Sequence, residues 1–162
     1  MSAAEPLHHS NRLAWQARMQ RIWQAGRDVQ HGVRQLGQRT LVPVMRAGAM
    51  RNLWVIEADG RARFLTPGKT RGCCHVIGQP GDLIIVVADF HDAVRWHDEL
   101  GVACVVGFDV ENMLHVIRRI WLDHSSGIIV LTEAFDSRIQ IAVQAVRGAY
   151  LRSDLTEWGR CS

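Results

Sequence analysis

Asp89, Asp109, Glu133 and Asp136 each stand just beyond a continuous apolar run: LIIVV at 83–87, VACVV at 102–106 and GIIVL at 127–131. Carboxylates gathered at such ends are the residue type that holds a hard divalent cation or moves a proton. The same residues also suit a plainer task. Asp109 precedes Asn112 by one helical turn, Asp136 is followed by Ser137, and Asp92 falls in a first helical turn. Carboxylates in those positions cap free N–H groups and meet the positive end of the helix dipole. His91 adds an imidazole between Asp89 and Asp92, able to bind metal or carry a proton, and equally suited to an exposed first turn.

The elements that must position these residues follow Gln79-Pro80-Gly81, a turn cluster. The pattern predicts strands at 83–87, 102–107 and 128–131, alternating with helices at 92–100, 111–122 and 137–151. Continuous apolar runs suit strands covered on both faces, and alternation with helices implies a parallel sheet with right-handed crossovers. Ligands of such sheets bind beyond the carboxyl ends of the strands. Ala88, Asp89, residues 107–109 and residues 132–136 fall there.

The N-terminal half reads differently. Residues 1–10 are expected to be a disordered tail. From Asn11, the residues Leu13, Trp15, Met19, Ile22 and Trp23 recur at helical spacing, and Gly26 stops the run. Residues 11–40 are therefore expected to form a helical arm, with Trp15, Met19, Ile22 and Trp23 as its packing face. LVPV at 41–44 reads as a strand, placed at an edge by Pro43. NLWVIEADGRARFL reads as a hairpin turned at Asp59-Gly60. CCHVIG at 73–78 adds a further strand. The expected organisation is an antiparallel β unit at 41–78, an α/β unit at 79–152 and a tail at 153–162, within one domain.

Several classes are set aside. Gly68-Lys69-Thr70 resembles the end of a phosphate-binding loop, but the glycine required five positions earlier is Arg63, and a β-hairpin precedes it. Cys73, Cys74, Cys104 and Cys161 contain no CxxC pair, which argues against a zinc ribbon and for ordinary reduced thiols. No apolar stretch approaches a signal peptide core or the ~20 residues of a membrane span. The expectation is a soluble, cytoplasmic protein. The formal charge is +3, but residues 12–71 hold twelve Arg or Lys against three acids. Such a segment favours a phosphate backbone through counterion release, or forms a solvated basic face. Arg61, Arg63, Lys69 and Arg71 rim the hairpin.

The stretch ADGRARFLTPGKTRGCCHVIG, through Gly60, Arg63, Phe64, Leu65, Gly68, Gly72 and Gly78, resembles the hairpin that precedes the Toprim domain in plasmid conjugation primases and satellite-phage replication primases. VACVVGFDVENML resembles the segment that follows there, with Asp109, Asn112 and Leu114 in place. The resemblance spans residues 20–150. It implies a Toprim-like parallel sheet with flanking helices, preceded by a small antiparallel β unit and an N-terminal helix. It also implies metal-dependent phosphoryl transfer, using a glutamate in an E-G-x-x-D-A motif and two aspartates in a later D-x-D.

At the first motif this chain reads Ala88-Asp89-Phe90-His91-Asp92-Ala93, so the glutamate is Ala88 and the glycine is Asp89. At the second it reads Thr132-Glu133-Ala134-Phe135-Asp136, so the first aspartate is Ala134. An alanine neither shuttles a proton nor binds a cation. The resemblance thus implies a Toprim-like protein of DNA replication or conjugation in a plasmid, phage or other mobile element, without catalytic residues or a cofactor. It would act by weak, salt-sensitive binding of nucleic acid through Arg61, Arg63, Lys69 and Arg71, or by binding a replication or conjugation partner. Two alternatives stand beside it. One is a divergent nuclease or primase holding Mg²⁺ or Mn²⁺ on a shifted set, Asp89, Glu133 and Asp136. The other is a protein-binding regulator or inhibitor of an active enzyme.

Overall fold

Five strands and one helix arise from the polar, arginine-rich first half of the chain. The structure is a computed structural model that describes residues 5–68, 70–124 and 126–152. The chain divides into two units, Met1–Thr70 and Arg71–Ser162. No helix among the described residues is long and apolar enough to cross a membrane.

In the first unit, helix α1 (Glu5–Ala25) is followed by β1 (Arg27–Asp28), a single 3₁₀ turn, β2 (Arg34–Leu36), β3 (Arg39–Arg46), β4 (Ala49–Ile56) and β5 (Ala62–Phe64). The strands lie in chain order in one antiparallel sheet. The β3–β4 hairpin turns at Ala47-Gly48, both with positive φ, as a two-residue turn matched to the strand twist requires. Trp54 and Phe64 face each other across β4 and β5, edge to face, with ring centroids 4.7 Å apart.

Met19, Ile22 and Trp23 of α1 pack on Leu41, Leu53 and Val55 of the sheet. Trp15, expected on that face, is 36% exposed, and the Arg18 guanidinium lies 5.9 Å from its ring. Gly26 follows the helix, and only glycine fits there, because a Cβ would lie 2.9 Å from the Arg34 Cβ.

Three expectations are corrected here. Residues 27–36 are strands and a turn rather than part of a helical arm; β1 and β2 form because they pair with each other and with β3. Residues 5–10, expected in a disordered tail, belong to α1, while residues 1–4 lie outside the described residues. Strand β3 is interior rather than at an edge. Pro43 is tolerated because β2 pairs only with Arg39 to Leu41, leaving β4 as its sole neighbour at that level.

In the second unit, β6 (His75–Ile77) and β7 (Leu83–Val87) lead into α2 (Phe90–Leu100), β8 (Ala103–Val106), α3 (Val110–Asp123), β9 (Gly127–Thr132), α4 (Ser137–Ala145) and β10 (Ala149–Arg152). The sheet order is β10-β9-β7-β8-β6. All neighbours are parallel except β6, which runs antiparallel to β8 at the edge. The fold class is therefore mixed α/β, with one antiparallel sheet and one mostly parallel sheet.

Ile84 and Val86, with Val105, Ile128 and Val130, form one face under α3 and α4. The alternating residues Ile85, Val87, Cys104 and Val106 are buried as well, which accounts for the unbroken apolar runs. Helix α2 packs along β7 and β8.

Two further differences concern this sheet. The CCHVIG strand belongs here and not to the 41–78 unit. Its burial alternates, and its pairing to β8 is set by residues some thirty positions away. The last helix ends at Ala145 rather than 151, and the chain turns through Arg147 and Gly148 into β10. A Cβ on Gly148 would meet the Ile128 carbonyl oxygen at 2.7 Å, so the turn requires glycine. The expected tail at 153–162 lies outside the described residues.

Candidate functional site

From β7 the chain crosses to β8 on one side, then returns over β7 to β9 on the other. That reversal leaves a crevice between the carboxyl ends of β7 and β9, the position where open α/β sheets take ligands. A cleft of about 500 Å³ lies there, lined by Ala88, Asp89, Asp92, Trp96 and residues 131–136.

On the β7 side, Asp89 caps α2. Its Oδ1 accepts from the backbone N–H groups of His91 at 2.8 Å and Asp92 at 3.1 Å. Asp92, in the first turn, is held above the ordinary carboxylate pKa by partial burial first, then by the charges of Asp89 and Glu133. Arg95, with Nη2 at 3.4 Å, pulls the other way. Across the cleft, Glu133 is thus close enough to be felt by α2. Trp96 lines the same cleft, and its Nε1 is buried without a hydrogen-bond partner.

On the β9 side, the loop 132–136 is tied by Tyr150 of β10. The Tyr150 hydroxyl donates to Thr132 Oγ1 at 2.7 Å and accepts from the Asp136 N–H at 2.9 Å. Thr132 Oγ1 in turn donates to the Ala134 carbonyl at 2.7 Å. Phe135 stacks on the Tyr150 ring with centroids 5.7 Å apart. Asp136 caps α4 through the Arg138 N–H at 2.9 Å, and the Arg138 guanidinium forks onto the same carboxylate at 2.8 and 3.2 Å. That guanidinium also donates to Glu111 at the start of α3. The Arg138 hydrogen bond holds Asp136 below the usual carboxylate pKa.

Asp109 acts as a cap, with its Oδ1 accepting from the Asn112 N–H at 2.7 Å. Phe108 before it takes φ +73°, a conformation rare for an aromatic residue, and donates its N–H to the Ala88 carbonyl. Asn112 is buried and clasps three backbone groups: the Gly72 N–H at 2.6 Å, the Cys73 carbonyl at 2.7 Å and the Gly107 carbonyl at 2.8 Å. His91 is exposed and rests edge-on against Phe90. Burial pushes the thiols of Cys74 and Cys104 up to about 11, so neither is a thiolate nucleophile near neutrality.

The resemblance implies a divalent cation held by one glutamate and two aspartates, and the residues at this cleft do not form that three-carboxylate set. Oxygens around a single Mg²⁺ lie within about 4.2 Å of one another, since each sits ~2.1 Å from the ion. Among the described residues, no three of Asp89, Asp92, Glu133 and Asp136 bring carboxylate oxygens within 4.8 Å of each other. Asp136 is already matched to Arg138. Ala88 and Ala134 line the cleft and offer no side-chain oxygen.

Of the four basic residues of the hairpin, two lie together in the first unit. Arg61 and Arg63 share the end of the first sheet with Arg39, around a shallow groove that also includes Glu57. Arg39 pairs with Glu57 at 2.9 Å and Arg61 with Asp59 at 2.6 Å, whereas Arg63 has no acidic partner among the described residues. Lys69 lies outside the described residues. Arg71 belongs to the second unit, where its Nε lies 3.4 Å from His115 Nδ1.

Asp92 and Trp96 in the cleft lining, Arg138 and Tyr150 on its 132–136 loop, and Arg39 at the groove, are not among the sequence-predicted functional residues. The i, i+2 pair Asp136–Arg138 at a helix start was the available signal for Arg138. Nothing local marks Tyr150. No family model matches the chain, and no curated protein matches it in sequence.

Proposed function

We propose that this chain is a Toprim-like protein of DNA replication or conjugation in a plasmid, phage or other mobile element, which binds nucleic acid and performs no phosphoryl transfer itself. One observation carries the reading. A cleft lies at the strand ends, alanines stand at two of the motif positions there, and the aspartate at the third, Asp136, is paired with Arg138. The cleft's remaining acids disfavour a phosphate, which they would repel.

The basic groove of the N-terminal sheet supports the binding half of the reading. Arg39, Arg61 and Arg63 lie together there with Glu57, and Arg63 carries no paired acid among the described residues. Phosphate contacts of this kind position a nucleic acid without reading its sequence. Fluorescence anisotropy with labelled single-stranded and duplex DNA in EDTA tests it. Binding that weakens when Arg61 and Arg63 are replaced supports the reading, and absence of binding at low salt contradicts it.

A second reading rests on Asp89, Asp92 and Glu133, which line the same cleft, and where partial burial first and then the charges of Asp89 and Glu133 raise the Asp92 pKa. A cation between them would relieve that repulsion, as in a shifted-site nuclease or primase. Mn²⁺-dependent turnover lost in Asp89→Ala would favour it.

A further inference from the structure

Helix α1 is longer than its packed face, and the turns beyond that face carry positive charge without a counter-charge. We propose that Arg12, Trp15 and Arg18 of α1 form a single-strand nucleic-acid site, in which the two guanidinium groups meet phosphates and the Trp15 ring stacks on an unpaired base. This deepens the nucleic-acid reading above and rests on it.

Residues 6–27 contain Arg12, Arg18, Arg21 and Arg27 and no Asp or Glu. Residues 11–18 are all exposed, and Met19 is the first buried residue after them. In the same unit Arg34, Arg39 and Arg61 each pair with a carboxylate, whereas Arg12, Arg18 and Arg21 have no acidic partner among the described residues. A helix surface that meets only water mixes signs, since opposite charges three or four residues apart stabilise it and like charges at that spacing do the reverse. Arg18 and Arg21 stand three apart with nothing between them to offset the repulsion. A polyanion laid along the helix offsets it.

Trp15 says which polyanion. It lies four residues before Met19 and seven before Ile22, on the stripe by which α1 packs, yet it is 36% exposed. Arg12 and Arg18 flank it three positions away on either side, about 9 Å from end to end along the axis, and the Arg18 guanidinium lies 5.9 Å from the ring. That length matches roughly three nucleotide steps at ~3.4 Å each. An aromatic ring between two phosphate-binding cations suits a strand whose bases are free to stack, and a duplex offers it no base face. An anionic membrane fits less well. A helix lying in a bilayer interface buries a broad apolar face, and Leu13, the other large exposed apolar residue of this stretch, lies two positions from Trp15 and so on the opposite side of the helix.

The basic groove shares this side of the sheet. Arg63 is the cross-strand partner of Val55, and Arg39 stands two residues before Leu41 on β3. Val55 and Leu41 both lie under α1, so both arginines project on the helix's side. One strand can therefore meet phosphate contacts in the groove and a stacking contact on α1 without crossing the sheet.

The experiment compares the full-length wild type with Trp15→Ala, Trp15→Phe, the pair Arg12→Gln with Arg18→Gln, and the pair Arg61→Gln with Arg63→Gln. Anisotropy of labelled oligothymidine and of a labelled duplex is measured in EDTA across a salt series, and circular dichroism checks the fold. Trp15→Ala is expected to weaken oligothymidine binding roughly 5- to 150-fold with little change on duplex, and Trp15→Phe to recover most of it. The Arg12, Arg18 pair should lower the salt slope on oligothymidine by about 1.4. On the wild type, an oligonucleotide carrying 5-iodouracil should photo-cross-link at Trp15, read by peptide mass mapping. A folded Trp15→Ala that binds oligothymidine as the wild type does would overturn the proposal, as would an equal loss on both DNAs, an unchanged salt slope in the Arg12, Arg18 pair, or cross-links that all lie elsewhere. Wild-type binding to phosphatidylserine vesicles that Trp15→Ala abolishes, with oligothymidine affinity unchanged, would overturn it in favour of a membrane. Binding lost only in the Arg61, Arg63 pair would overturn this site and leave the proposed function standing. Binding lost only in the α1 variants would support this site and contradict the groove.

Discussion

Replacing Asn112 with alanine removes the clasp that joins the entry to β6, the end of β8 and the start of α3. Asn112 is 5% exposed and makes three side-chain hydrogen bonds, two donated and one accepted, at 2.6 to 2.8 Å. Truncation leaves the Cys73 and Gly107 carbonyls and the Gly72 N–H without these partners. Each unsatisfied buried group costs about 1–3 kcal/mol, less where water enters the vacated space. The Gly72 N–H is only partly buried and the Gly107 carbonyl keeps the Asp109 N–H at 3.0 Å, so a total of about 2–3 kcal/mol is expected. Urea denaturation should show a lower midpoint at an unchanged slope, and melting should fall by roughly 4–12 °C. Asn112→Asp keeps the acceptor for Gly72 but turns carboxylate oxygens toward two carbonyls. It should be at least as unstable near pH 7 and recover partly in acid, where the protonated acid can donate. A loss under about 1 kcal/mol for Asn112→Ala would refute the clasp, because it would mean these bonds are not made or are replaced by water at no expense.

Asp92→Asn is expected to raise the melting temperature near neutral pH. The folded-state pKa of Asp92 is raised, so the native state binds its proton more tightly, and this residue's contribution falls as pH rises through that range. The gain should therefore shrink as pH is lowered toward the ordinary carboxylate pKa, which a melting series across pH would read. Gly78→Ala should destabilise the second unit, since φ is +80° and the new Cβ would lie 2.6 Å from the His97 ring; an unchanged urea midpoint would contradict this. Nucleic-acid binding through Arg61, Arg63, Lys69 and Arg71 should weaken by on the order of 100-fold between 50 and 200 mM salt if all four meet phosphates. Replacing Arg61 and Arg63 together with Arg39, which share one groove, should account for most of the loss in an anisotropy titration.

The three strand–helix repeats were legible because each strand is a continuous apolar run and each following helix begins at an aspartate cap: Asp89, Asp109 and Asp136. The capping reading of Asp109 and Asp136 was legible for the same local reason. Strand β6 was legible as a strand but not its sheet, and β10 was not legible at all, because both are short and each is placed only by a distant partner, β8 for one and β9 for the other. Tyr150 was hidden inside a pattern that reads as helix until Gly148 is recognised as a stop. The closeness of Asp92 to Glu133 depends on β7 and β9 being neighbours, and strand order leaves no mark in periodicity. Arg138 was missed because its second partner, Glu111, lies on another helix. The N-terminal strands β1 and β2 carry too few apolar residues to announce themselves; their pairing and the Arg34–Asp28 bridge at 2.7 Å define them.

The most direct test of the central claim is one assay on the wild-type chain, in which labelled single-stranded and duplex DNA are incubated with and without Mn²⁺ and both bound and converted DNA are quantified. The account predicts bound DNA that is equally bound in EDTA and is neither cleaved nor extended. Mn²⁺-dependent product that disappears in Asp89→Ala or Asp136→Ala would contradict it.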